Sequence, residues 1–527
     1  MNLLRTLLLT NCFSLLLLLT ACDSSTTDNK VFNNNTVLKV IAGSELKDIE
    51  PMLATIKEKT GVQLQMEYIG TLDGAEKITA QQEPFDFAWF SHAKYLSLLQ
   101  ADKKIIQGQE KISISPVIPA IKESLAKKWG WIDNPNITWA QIADKVKAGQ
   151  LKYAMTDPTA SNSGFSTVMS VQAAFANKGD AITAQDVDAE KLKSFFSGQS
   201  LTAGSSGFLS DSFLRDQSKL DGIFNYESEL LKLNRNPALT EKLVLIYPKE
   251  GTITADYPLI LLNKDKAIDY QKVVDYLKST EFQNWMMNNT DRRPVNMEVV
   301  LGTQFPKGYL MDLPFPNNIA TVNEILLAYL NDRRKPSHSF FVLDISGSME
   351  GDRINALKQA MNNLTGDDAT MTGQFAQFRN REKITIITFN NVVVDTREFT
   401  MDKNGGALQE IKRYITDMQV GGGTAIFNAL QTAYQQAAIA KKADPNRFYS
   451  IVLMTDGLNQ NGIGYSDFNN FYVKESDTIA GIRVFPILFG EASIDELENL
   501  ATLTGGKVFD SRKGSLAQAF KQIRGYQ

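Results

Sequence analysis

Short apolar runs and one-sided helical stripes alternate along this chain from residue 36 onward. Residues 36–42 read as a strand, and Gly43-Ser44-Glu45 turns into a helix across 46–59. A second strand at 62–68 is followed by Gly70-Thr71 and a helix over 72–81, and a third strand at 85–90 ends at Ser91. Strand, helix and strand in this order predict a parallel sheet covered by helices. Further runs predict strands at 151–156, 222–227 and 243–248, and a helix at 165–176. Residues 252–262 read as one strand returning toward the first lobe, and 270–278 with 282–287 as a closing helical pair.

The pattern breaks at Asp312-Leu-Pro-Phe-Pro and resumes with apolar residues at Ile319, Val322, Ile325, Leu326, Tyr329 and Leu330. That spacing is the stripe of an amphipathic helix. The basic triplet Arg333-Arg-Lys reads as its solvated C-terminal end, favoured by the helix dipole. Beyond it the order is strand 338–343, helix 352–364, strands 383–389 and 392–399, helices 405–417 and 425–442, and strand 448–454. A strand at 482–488, a helix at 493–503, a short strand at 507–510 and a helix at 514–524 complete it. The pair 383–389 and 392–399 is an expected antiparallel edge hairpin in a doubly wound sheet. The predicted class is α/β throughout.

With 527 residues the chain is too long for one core. Apolar residues make up 43% and charged residues 22%, ordinary values for globular protein. The net charge of −4 and the lack of a basic block argue against a nucleic-acid partner. No G-x-x-x-x-G-K-[ST] loop is present, and no nucleophile–base pair stands out, so an enzyme is not expected. His92 and His338 lack a second His at helical spacing, so each is expected to be a satisfied or exposed histidine.

At the N-terminus, Arg5 precedes an apolar segment over 7–19, too short for an ordinary membrane span. It ends in Leu19-Thr20-Ala21-Cys22, which resembles a bacterial lipobox. The resemblance implies cleavage after Ala21, a lipid on Cys22 and residues 1–21 as signal peptide. Residues 22–35 are polar and pattern-free, the composition of a flexible tether. Asp23 after the lipidated Cys resembles an inner-membrane retention signal of many Gram-negative bacteria. The expected location is extracytoplasmic and lipid-anchored, on the periplasmic face of the inner membrane if the organism is Gram-negative.

The strongest chemistry lies at the end of the run Ser339-Phe-Phe-Val-Leu-Asp344. Asp344, Ser346 and Ser348 follow a buried strand, at the sheet edge where ligands bind in open α/β folds. One carboxylate and two hydroxyls suit Mg²⁺, Mn²⁺ or Ca²⁺ rather than Zn²⁺. Two further loops belong to the same edge: Gly421-Gly-Gly-Thr424 and Thr455-Asp456-Gly457. Together the three loops resemble a von Willebrand factor A (VWA) domain with a metal-ion-dependent adhesion site, over the whole of 337–527. The resemblance implies a Rossmann-like fold and five ligand positions: Asp344, Ser346, Ser348, Thr424 and Asp456. The hydroxyls are expected to ligate directly, the carboxylates directly or through water. It also implies a protein partner whose acidic residue completes the coordination sphere. Without a cation the two carboxylates should repel, raising one pKa.

Residues 36–312 carry weaker motifs: Gly-Ser-Glu after the first strand, Asp-Phe-Ala-Trp-Phe-Ser91, Asp157-Pro-x-x-Ser-x-Ser163-Gly, Tyr226-Glu-Ser and Tyr247-Pro-x-x-Gly-Thr. In this order they resemble a two-lobed extracellular solute-binding protein, nearest the molybdate and sulfate binders. The resemblance implies a periplasmic-binding-protein-like fold and a small solute held between lobes by Ser44, Ser91, Ser163 and Tyr226. Ser44 and Ser163 equally suit helix N-caps, and Tyr226 a core aromatic. The cleft is either a binding site or a scaffold that has lost its solute. Residues 313–336 are the expected linker with a helix. The expected function is a metal-dependent protein-binding module with a solute-binding half; the alternative is an ABC-importer receptor with an accessory VWA domain.

Overall fold

The computed structural model describes residues 36–81, 83–306 and 310–527. Cys22, the signal peptide and the tether lie outside the described residues. The first lobe is built on a five-stranded sheet. Thr36–Gly43 is flanked in parallel by Val62–Ile69 and Phe87–Trp89, and Pro258–Leu261 and Gly108–Lys111 continue the sheet antiparallel. Each parallel strand runs into a helix: Ser44–Met52 and Leu53–Thr60, Thr71–Thr79, and Lys94–Leu99.

The second lobe is organised by Ser113–Lys122. This strand pairs with Gly222–Tyr226, Leu243–Leu245, Thr254–Ala255 and Arg293–Pro294, and Tyr153–Thr156 and Gln199–Ala203 extend the sheet. The single strand expected at 252–262 is two strands. Thr254–Ala255 pairs in the second lobe and Pro258–Leu261 in the first. The chain changes sheet at Asp256-Tyr257, where Tyr257 adopts φ 40°. That left-handed conformation is costly for a bulky residue and is held here by the Trp89 indole, which donates to the Tyr257 carbonyl at 3.0 Å.

The C-terminal region is a six-stranded sheet centred on Ser337–Asp344. Lys383–Phe389, Phe448–Thr455, Arg483–Leu488 and Phe509–Asp510 are parallel to it, and Val393–Thr400 closes the edge as the expected antiparallel hairpin. Every residue of the central strand is buried. Phe341 and Leu343 face one core with Leu357, Ile411 and Phe520; Phe340 and Val342 face the other with Phe427, Leu430 and Leu500. A strand apolar on both faces needs helices on both faces, which makes the sheet doubly wound.

The helix Ile319–Ala328 lays its stripe into the core of the first region. Val322, Ile325, Leu326 and Tyr329 pack with Tyr95, Phe165 and Phe196, and the Tyr329 hydroxyl donates to Gln199 at 2.7 Å. The basic triplet after it is not a solvated end. Arg333 and Arg334 are buried. Arg334 pairs with Asp157 of the second lobe at 3.3 Å and with Glu382 of the C-terminal region at 2.7 Å. Arg524 pairs with the other Glu382 oxygen at 2.7 Å, and the Arg334 guanidinium also donates to the Gln527 carbonyl. His92 is another departure. It is buried against Phe165 and Phe315, and neither ring nitrogen has a partner among the described residues. Burial pushes its pKa down to about 3, so the imidazole is neutral at pH 7. His338 is satisfied at one nitrogen only, at 2.9 Å from the Thr385 hydroxyl.

Burial alone would raise the Glu382 carboxyl, but Arg524 and Arg334 hold it below the ordinary glutamate range. A carboxylate depressed in the folded state stabilises above its unfolded pKa, and that contribution is lost as pH falls through the lowered folded value. Glu382→Gln takes the counter-charge from the buried Arg524 guanidinium and leaves Arg334 with Asp157 alone. It should cost roughly 3–5 kcal/mol in urea unfolding at pH 7, with the difference from wild type shrinking as pH drops below about 4.

Candidate functional site

The five oxygen-bearing residues of the C-terminal region do meet. Asp344 closes the central strand, Asp456 follows Phe448–Thr455, and Thr424 precedes the helix Ile426–Ala443. Asp344 accepts from the Ser346 backbone N–H at 2.8 Å and from the Thr455 hydroxyl at 2.7 Å. The Ser346 and Ser348 hydroxyls lie 3.0 Å apart, and Ser348 donates to Asp456 at 2.8 Å. A Cβ placed on Gly457 would stand 3.9 Å from both the Ser348 and the Thr424 hydroxyl oxygens, which puts Thr424 at the same cluster. The glycine loop is tied across the site, with Gly347 N–H donating to the Gly422 carbonyl at 3.0 Å and Gly421 N–H to the Ile345 carbonyl at 2.9 Å. Gly422 has φ 82°, a conformation open to glycine. Asp344, Ser346, Thr424 and Asp456 are buried, while Ser348, Gly422 and Glu350 are exposed, so the cluster opens to solvent on one side.

The pKa of Asp344 is raised, as two neighbouring carboxylates suggest, but the main cause differs. Burial is the largest contribution and the charge of Asp456 the smallest, with hydrogen bonds from Ser346 and Thr455 opposing both. Asp456 has its own counter-charge in Arg353, 2.6 Å away and partly exposed. Among the described residues no cluster of three His, Cys, Asp or Glu side chains could hold a metal. The donor set at this edge is instead two carboxylates and three hydroxyls. Hard oxygens of this kind, nearly neutral in sum with a divalent ion, fit Mg²⁺, Mn²⁺ or Ca²⁺.

The first region holds a cleft between its lobes. Ser91, Tyr226 and Asn162 come together there: the Asn162 amide donates to the Ser91 hydroxyl, and Tyr226 reaches the Glu45 carboxylate at 3.5 Å. Ser44 opens the helix Ser44–Met52 and lines the cleft, with Gly43 rather than Ser44 as N-cap. Ser163 lies deeper. Its hydroxyl is held by Thr156 and Ser206, both at 2.8 Å, in a buried hydroxyl cluster with Ser161. Ser206 and Glu45 did not stand out in the sequence. Ser206 is announced only by Gly204-Ser205-Ser206 before a helix, and Glu45 only by its place after Gly43-Ser44.

The mouth of this cleft is roofed by the C-terminal region. A cavity of about 510 Å³ is lined by Ser44, Glu45 and Asp48 of the first lobe, Ser161 of the second, and Lys521 and Tyr526 of the terminal helix and tail. The roof is anchored to both lobes. Lys521 pairs with Asp73 at 2.9 Å, and the Met371 N–H donates to Glu76 at 2.6 Å on the first-lobe side. Arg483 pairs with Asp216 at 2.6 Å, and Arg334 pairs with Asp157, on the second-lobe side. Separating the lobes therefore requires breaking buried or half-buried charge pairs to the roof.

Two family models match the chain. Residues 38–288 match the bacterial extracellular solute-binding protein family, and residues 340–522 match the von Willebrand factor type A domain. The chain joins a solute-binding domain of this family to a C-terminal VWA domain. Solute-binding proteins and VWA domains are generally non-enzymatic. Among curated proteins, "Uncharacterized protein sll0103" of Synechocystis is 31% identical over 132 residues, 25% of this chain and 28% of that protein. Human inter-alpha-trypsin inhibitor heavy chain H2 is 30% identical over 125 residues, 23% of this chain and 12% of that protein. The chain thus spans about a quarter or less of the length of these relatives. Among solved structures, the periplasmic binding protein AfuA from Actinobacillus pleuropneumoniae aligns with 57% of this chain and 99% of its own, at 18% identity and a TM-score of 0.43. The ferric binding protein from Campylobacter jejuni aligns with 55% and 98%, at 13% identity and a TM-score of 0.41. No described helix is long and apolar enough to cross a membrane.

The hydroxyl cluster depends on a close backbone approach. A Cβ on Gly164 would stand 2.2 Å from the Thr156 carbonyl oxygen. Gly164→Ala must push the helix Asn162–Ala176 off the strand end and should cost about 1–3 kcal/mol, measured as a lower midpoint in thermal or urea unfolding.

Proposed function

We propose that this chain is a lipid-anchored extracytoplasmic binding protein that grips a protein partner through a divalent cation in its VWA domain. The observation that carries the reading is the meeting of Asp344, Ser346, Ser348, Thr424 and Asp456 at one partly exposed sheet edge. Mg²⁺ is the expected ion, with Mn²⁺ or Ca²⁺ as substitutes. Bound there, it would offer an open coordination position to an acidic side chain of the partner. The hydroxyls of Ser346, Ser348 and Thr424 are placed to ligate, and Asp344 and Asp456 to ligate or to hold ligating water. Arg353 neutralises Asp456 and must yield part of that contact when an ion arrives. The extracellular solute-binding family supports a location outside the cytoplasm, and the lipobox-like Leu19-Thr20-Ala21-Cys22 supports the anchor.

The roofed cleft supports a second role for the same chain, holding a small solute; Ser44 lines the cavity, and Ser91, Ser163 and Tyr226 are buried beside it. The alternative reading is an ABC-importer receptor with an accessory VWA domain. Affinity capture from membranes separates the two. With Mg²⁺ present, wild type should retain an envelope protein that EDTA releases. Asp344→Ala should lose at least tenfold of that capture and of the Mg²⁺-induced rise in melting temperature. A capture equal in Asp344→Ala, or unchanged by EDTA, overturns the metal-dependent reading. Small-solute stabilisation that survives both favours the importer reading.

A further inference from the structure

Arg353 stands in the first turn of the helix Asp352–Asn362. The amino end of a helix carries partial positive charge, so the helix itself disfavours a guanidinium there. What holds Arg353 lies on other loops. Its Nη1 is 2.6 Å from Asp456 Oδ2, and its Nη2 is 4.0 Å from Glu491. The Asp456 side chain is fully buried, Arg353 is 34% exposed and Glu491 is 88% exposed, so the three charges step outward from the VWA edge to solvent.

The Glu491 loop is tied to the same spot. Its backbone N–H donates to the Asp456 carbonyl at 2.8 Å. Gly490 before it has φ 54°, and a Cβ there would stand 2.9 Å from the Asp456 carbonyl oxygen and 3.3 Å from the Arg353 guanidinium carbon. The guanidinium therefore lies against this loop, with a second carboxylate at the limit of ion pairing.

The carboxylate oxygens of the edge are all engaged. Asp344 accepts from the Ser346 N–H and the Thr455 hydroxyl, and Asp456 Oδ1 from the Ser348 hydroxyl. These three donors are neutral. Asp456 Oδ2 alone meets a full charge, and among the described residues no ion pair other than that with Arg353 reaches either carboxylate. A divalent cation drawn to these oxygens carries the same sign as Arg353, and two cations beside one buried carboxylate repel each other. The guanidinium has another acceptor within reach, in Glu491.

We propose that Arg353 is a built-in competitor for the cation site: it holds the Asp456 charge until a divalent ion takes it over, and Glu491 then receives the displaced guanidinium. The exchange of one cation for another sets the ion affinity, which is weaker than the five oxygen-bearing residues alone would give. The same contact spares the fold an uncompensated buried carboxylate before the ion arrives. This inference rests on the reading of the edge as a cation site and concerns what sets its affinity.

The test is calorimetric titration of Mn²⁺ into full-length protein stripped with EDTA and dialysed, with thermal melts before and after loading. Wild type is compared with Asp344→Ala, Arg353→Gln, Glu491→Gln and the double variant Arg353→Gln/Glu491→Gln, each first shown to melt cooperatively. Arg353→Gln should melt below wild type before loading and bind Mn²⁺ about fivefold more tightly. Glu491→Gln should bind Mn²⁺ more weakly than wild type, and that loss should vanish in the Arg353→Gln background, because Glu491 acts through Arg353. The proposal is overturned if Arg353→Gln binds Mn²⁺ no more tightly than wild type, or if Glu491→Gln has the same effect in both backgrounds. Those results leave the cation-site reading standing as long as binding needs Asp344. No Mn²⁺ binding by either wild type or Arg353→Gln, or binding that Asp344→Ala leaves intact, overturns the cation-site reading and this inference with it.

Discussion

Arg334 is the interaction on which the arrangement of this molecule depends. Its guanidinium joins Asp157, at the second lobe's cleft loop, to Glu382 of the VWA domain, and Arg524 completes the group from the terminal helix. Burying four charges is expensive, and an apolar core of equal volume would serve stability as well. What the cluster adds is geometry, because a guanidinium forked between two carboxylates accepts only one relative placement of its partners. The VWA domain is thereby set over the cleft, its terminal helix and tail forming the roof. The loop that starts at Asp157 carries Ser161 and leads into Ser163 in the first turn of the helix Asn162–Ala176, so one buried network touches the cleft and the VWA fold together.

The VWA edge and the cleft share a physical logic. In both, polar groups converge at the C-terminal ends of parallel strands, where the fold leaves backbone and hydroxyl groups unpaired. At the VWA edge the convergence is acidic and oxygen-rich, and Arg353 offsets Asp456 from a partly exposed position. At the cleft, Glu45 meets the Ser91 and Tyr226 hydroxyls, and burial raises its pKa against the lowering pull of Arg292 and Ser91. The first arrangement has oxygen donors open to solvent on one side; the second has carboxylates and cationic side chains mixed around a partly open cavity.

The convergence of five oxygen-bearing residues at the VWA edge was legible in the sequence because each sits within a few residues of a strand end or helix start, and strand ends are what hydrophobic patterning marks. Asp344, Thr424 and Asp456 could be placed from Ser339-Phe-Phe-Val-Leu, the triple glycine and Tyr449-Ser-Ile-Val-Leu-Met alone. The cleft was less legible. Its organising strand Ser113–Lys122 contains Pro116 and Pro119, which break the pattern of a central strand. The crossover at Tyr257 interrupts what reads as one run. Arg334 looked like a solvated helix end because its partners lie 177 residues before it and 48 after it. Burial of that kind is decided by packing between domains and leaves no local signature. Glu45 was visible only as part of Gly43-Ser44-Glu45: a glutamate in a helix's first turn is ordinary, and only the fold shows which hydroxyls it meets.

The central claim is that the five residues at the VWA edge form one cation site. Soaking crystals of the full-length protein in Mn²⁺ and recording anomalous scattering tests it most directly. The account predicts a single strong peak among the Ser346, Ser348 and Thr424 hydroxyls and the Asp344 and Asp456 carboxylates, with Arg353 drawn back from Asp456. A peak elsewhere, or none at this edge with Arg353 still paired to Asp456, would contradict it.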